Sequence, residues 1–209
     1  LIYEFPRQDS AIRQGDIFMG LPRIEVSLER LPVLETDGST VECEWRDIAK
    51  RNSEVVAILP LRPVSAIVAS QDCDAANAPD VTLCEIRPFV QVERKSSQTT
   101  SAKSWKNLLT QHARLNLKWF YLPPDPNVGF DQKMAVDFLT TLRVPRLDLE
   151  RLRDFRKGRL NGIAEEHFRE RISEFFRRYA YDEWYPLNRE ELESYKAEYP
   201  DSEPFPWQV

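Results

Sequence analysis

The densest group of reactive side chains is Ala69-Ser70-Gln71-Asp72-Cys73-Asp74, directly after an apolar run. A hydroxyl, an amide, two carboxylates and a thiol at a strand's end concentrate donors and acceptors in one place. Two readings stand side by side. In one, Asp72 and Asp74 make Asx-type turns, Cys73 packs as a small hydrophobe, and the cluster only turns the chain. In the other, the cluster lines a groove. A nucleophilic Cys73 is disfavoured, because flanking carboxylates raise a thiol's pKa and suppress the thiolate. His112 falls on an apolar helical face, the common place of a hydrogen-bonded core histidine, and His167 stands beside Glu165 and Glu166. Neither is brought to a Ser or Cys by helical spacing alone. Asp80 with Glu85-Ile86-Arg87 is too tightly spaced for a nuclease carboxylate set, and no Gly-rich phosphate loop, HExxH or GxSxG occurs.

Charge is unevenly placed. Residues 143–159 hold seven Arg/Lys against three Asp/Glu, and residues 182–209 hold two against eight. Arg151, Arg153, Arg156, Lys157 and Arg159 are therefore candidate phosphate contacts. They are interleaved with Leu147, Leu149, Leu152 and Phe155, so some are expected simply to form the solvated face of a packed helix. The net charge of −5 weighs against a dedicated nucleic-acid binder.

Three scattered cysteines argue for reduced thiols in a cytoplasm, and with two histidines they make no structural zinc site, so neither metal nor cofactor is expected. No apolar run approaches the ~18 residues of a membrane span. The chain starts at Leu1 rather than Met and shows no charged-then-apolar leader, so residues upstream are expected to be missing or removed by processing.

The elements that must position these groups are short. Period-two or β-branched runs predict strands at residues 15–20, 24–28, 40–45, 55–59, 65–69, 81–86, 89–92, 118–122 and 134–139, with a turn at Thr36-Asp37-Gly38-Ser39. Helical spacing predicts a helix from about Ala102, a short one over Leu147, Leu149 and Leu152 ended by Gly158 and Gly162, and one carrying Phe168, Ile172, Phe175, Phe176 and Tyr179. Asn188 is placed to cap a last helix. The fold class expected is α+β: a small β-barrel with an inserted helix over residues 1–140, then amphipathic helices and an acidic tail over residues 141–209.

Gln14-Gly15-Asp16-Ile17-Phe18, then Val64-Ser65-Ala66-Ile67-Val68-Ala69-Ser70, resembles the opening of the MazF/PemK-like toxins. Phe120-Tyr121-Leu122-Pro123, Val136-Asp137-Phe138 and the Phe-rich helix are similar to that family's later strands and closing helix. The resemblance implies an SH3-like barrel, often a homodimer, from a prokaryotic toxin–antitoxin or stress-defence module. Active members are metal-independent endoribonucleases that use a loop arginine and a Thr or Ser after a later strand. Carried over, Arg23 would stabilise a phosphorane's charge, Ser70 matches the strand-end serine, and Asp72 would be the general base. The family's Thr-rich phrase is replaced by Cys84-Glu85-Ile86-Arg87, and Asp72 and Asp74 would repel RNA. The expectation is therefore a divergent, non-catalytic module that restrains a protein partner, for instance a basic or nucleic-acid-binding factor. Asp72, Asp74, Trp184, Tyr185, Tyr195 and Trp207 are the partner-binding candidates, and endoribonuclease action on RNA is the alternative.

Overall fold

The computed structural model describes residues 2–52, 54–109 and 118–177, with residues 193, 197, 198 and 200 beyond them. Its elements, in order, are β1 (Tyr3–Glu4), β2 (Asp16–Ile24), β3 (Leu31–Leu34), β4 (Thr40–Cys43), α1 (Trp45–Arg51), β5 (Val56–Ala57), β6 (Leu61–Val68) and α2 (Asp72–Asn77). Then come β7 (Asp80–Pro88), α3 (Phe89–Val92), α4 (Ala102–Asn107), β8 (Trp119–Leu122), β9 (Met134–Pro145), α5 (Arg146–Arg151), β10 (Arg156–Leu160) and α6 (Gly162–Arg177). Contacts divide the chain into Leu1–Phe175 and Phe176–Val209.

The α+β class holds. Seven strands form one antiparallel sheet in the order β1-β10-β2-β6-β7-β9-β8, and β4-β3-β5 form a second, smaller one. Alternation along β7 shows how the large sheet buries both faces. Cys84 and Ile86 join Ile17, Ile67, Val136 and Phe138 beneath α6, whose Phe168 and Phe175 close that side. Val81 and Leu83 join Phe18, Leu21, Ala66 and Leu149 on the other.

The expected barrel is not closed. β1 and β8 are the two edges and do not pair with each other. The sheet nevertheless curls enough that the Tyr3 hydroxyl, beside β1's edge, donates to the Pro123 carbonyl just past β8 at 2.8 Å. Among the described residues, no helix is long and apolar enough to cross a membrane.

Several elements differ from expectation for identifiable reasons. Phe89–Val92 is a helical turn rather than a strand. The Phe89 ring is drawn into an edge-to-face cluster with Trp105, Trp119 and Tyr121, with centroids 4.8–5.7 Å away. Gly158 does not stop a helix but lies inside β10, and β9 runs through residue 140. Of residues 24–28, only Ile24 is in a strand. The helices α1 and α2 have too few turns to show a period, and the expected cap at Asn188 lies outside the described residues.

Candidate functional site

The apolar face of β7 ends abruptly in charge. In phase with Val81 and Leu83 stand Glu85 and Arg87, and the neighbouring strands place Arg23, Arg62 and Asp137 around them. Glu85 is 3 % exposed and accepts from both Arg23 and Arg62. Arg62 also pairs with Glu25, and Arg87 donates to Asp137 at 3.2 Å. Asp137 is fixed in turn by the Leu139 amide and the Thr140 hydroxyl. A cleft of about 360 Å³ opens beside this network, lined by Arg62, Ser65, Glu85, Arg87 and Gln91 among others. Arg23 thus lies on β2 rather than in a loop, and its partly exposed guanidinium is paired with a buried carboxylate.

Asp72 is elsewhere. Residues 17 and 67 pair near one end of the β2–β6 ladder and residues 24 and 61 at the other. Asp72 follows the first end and Arg23 lies at the second, roughly 25 Å of strand apart. Asp72 accepts from the Arg13 side chain at 2.7 and 2.8 Å and from the Gln14 amide at 2.9 Å. Burial pushes its carboxyl up, but those hydrogen bonds, with the charges of Arg13 and Arg169, outweigh it and hold the group below its ordinary range. Buried Gln14 donates to the Ala69 carbonyl and accepts from Arg169. The cluster therefore joins the start of β2, the β6–α2 turn and α6. Ser70 is also a structural group: its hydroxyl accepts from the Thr82 amide at 2.9 Å. Asp74 is exposed in the first turn of α2.

Two phosphate candidates are internal. Arg156 and Arg159 are 4 % and 6 % exposed and converge on Asp16, which is fully buried. The pairs are Arg156–Asp16 at 3.1 Å and Arg159–Asp16 at 2.7 Å. Arg156 further ties down the carbonyls of Arg7, Gln8 and Ala11. Arg156 and Arg159 point inward together because the bulge between Arg156 and Gly158 takes up exposed Lys157 and sets them opposite Phe18 and Asp16, which share a face. Arg151 is exposed and pairs with Asp148; Arg153 is half-buried. Trp184, Tyr185, Tyr195 and Trp207 lie outside the described residues.

Glu85, Arg62 and Asp16 carry the two ion networks and were not marked as partners by spacing. One signal was available: Glu85 falls in phase with Val81 and Leu83, so it occupies a position the pattern reserves for burial. Among the described residues, no group of three His, Cys, Asp or Glu side chains is placed to hold a metal. Comparisons with protein families, with curated proteins and with solved structures find no match.

Proposed function

We propose that this chain is a divergent MazF/PemK-like module of an SH3-like type. It binds and restrains a protein partner in a prokaryotic toxin–antitoxin or stress-defence pathway and does not catalyse. The observation that carries this reading is the buried Glu85, which takes up the charge of Arg23 and shares it with Arg62. An arginine matched in this way is poorly disposed to stabilise a phosphorane, since that role needs a donor aimed at developing charge. The general base that the alternative requires is Asp72, held by Arg13 at the far end of the β2–β6 pair. The two halves of a ribonuclease site therefore do not meet. The second reading, a metal-independent endoribonuclease, draws on Arg62 and Arg87 lining a solvent-open cleft.

A long unstructured RNA, incubated without added metal, separates the two. Wild type, Arg23→Ala and Asp72→Ala are expected to leave it equally intact. Cutting by the wild type that Arg23→Ala abolishes would sink the binding-module reading.

A further inference from the structure

Nine of the sixteen exposed large apolar side chains among the described residues lie within residues 24–61, which run from the end of β2 through the small β3–β4–β5 sheet to the start of β6. For Leu34, Val56 and Ile58 the register explains the exposure. On β3, Leu31 and Val33 point inward and are buried with Ile48 of α1. Pro32 and Leu34 must then point outward, and pairing sets Val56 beside Leu34 and Ile58 beside Pro32. Leu34, Val56 and Ile58 are 42 %, 63 % and 52 % exposed. The strip that β3 and β5 present on this face is apolar and uncovered, with Thr40 and Glu42 of β4 along its margin, and such a strip is the sort normally closed by another layer.

We propose that this outer face is the docking surface of the module and that its occupant is a basic amphipathic helix of the partner protein. The inference rests on the protein-binding reading above and names the partner's chemistry. Three strands at about 4.8 Å spacing make a face roughly 10 Å wide, one helix diameter. The four residues of β3 span roughly 13 Å, about two helical turns, enough for apolar anchors at i, i+3 or i+4, and i+7. Charge selects the sign. Glu42 shares the face, opposite Pro32, while Glu35 follows Leu34 and Glu54 precedes Val56. All three are exposed, and among the described residues none forms an ion pair. Residues 24–61 hold eight Asp/Glu against four Lys/Arg. Of those bases, Arg46 and Lys50 ride on α1, against the opposite face. A second copy of this chain would set these carboxylates against their own kind, which disfavours self-association through this face.

The test uses the full chain and a labelled 18-residue helix-forming Leu/Lys peptide, with fluorescence anisotropy as readout. The comparison peptides are a Leu/Glu peptide with the same apolar face and a scrambled Leu/Lys sequence. The expected result is binding of the Leu/Lys peptide at least tenfold tighter than either comparison. Leu34→Lys with Val56→Lys should weaken it at least tenfold while circular dichroism shows the fold retained. Ile163→Lys, an exposed apolar position elsewhere, should leave it unchanged. Glu42→Gln with Glu54→Gln, which keeps the apolar face, should weaken it several-fold and reduce its salt dependence. Equal binding of the Leu/Glu peptide, or wild-type binding by the Leu34→Lys/Val56→Lys protein, would overturn the proposal. So would a wild-type dimer, seen by light scattering, that those two substitutions split. RNA cleavage by the wild type would instead overturn the non-catalytic reading and leave this surface standing.

Discussion

Asp16 accepts hydrogen bonds from Arg156 and Arg159 in a site closed to water, so removing its charge leaves buried Arg156 with no carboxylate partner and Arg159 with only the half-exposed Glu4, 4.0 Å away. Breaking such a pair from one side costs about 3–5 kcal/mol, a large share of a domain's ~5–15 kcal/mol. Asp16→Asn is accordingly expected to lower the unfolding free energy read from urea melts by that order; a loss under about 1 kcal/mol would show that the pairing holds little. The neighbouring Gly15 adopts φ +84°, and a Cβ there would meet Leu160 at 3.3 Å. The Gly-Asp phrase that carried the family resemblance is thus accounted for by packing in this chain. Thiols give a second check at this scale. Burial, then the charge of Asp137, pushes the Cys84 thiol up to about 12, whereas Cys73 is exposed. Ellman's reagent should label Cys73 in the native protein and Cys84 only on unfolding; rapid native labelling of Cys84 would contradict its burial.

Among elements, the joint of β2, the β6–α2 turn and α6 depends on Asp72. A carboxyl held below its ordinary value of 3.8 contributes stability that is fully present above that value. The contribution is lost as pH falls through the lowered folded value. Urea melts of wild type and Asp72→Asn should therefore differ at pH 7 and at pH 5, and converge as pH drops below 3.8. A gap that stayed constant to pH 2 would rule out this linkage. The same joint shows what was legible element by element. The strand preceding Ser70 follows from its β-branched run, but the helix Asp72–Asn77 does not, because one and a half turns expose no period. Residue order alone leaves the cluster Ala69-Ser70-Gln71-Asp72-Cys73-Asp74 open between turn-making and groove-lining. Ser70 bonds to Thr82 and Asp72 to Arg13 and Gln14, so the group's contacts are largely spent on holding elements together.

For the whole molecule, the curl of the seven-stranded sheet turns on a few contacts across its open side. Tyr3 donates to Pro123 and its ring meets Phe130 edge-on at 6.1 Å. Tyr3→Phe keeps the ring and deletes the hydrogen bond, so a loss of about 1 kcal/mol is expected in a denaturant melt. No measurable change would mean the two edges are held by packing alone. The sequence by itself determined that this is an α+β chain with many short strands and a Phe-bearing amphipathic helix, since side-chain period is set by local backbone geometry and is written directly in residue order. Closure of the sheet was not written there, because it depends on twist, bulges and edge contacts summed over seven strands. Nor were the partners of the charges. Arg23 meets Glu85 across 62 positions, and Arg156 and Arg159 meet Asp16 across 140 and 143. An arginine's neighbours along the chain say whether it can face water. Only the tertiary structure decides whether a buried carboxylate is waiting on the strand beside it.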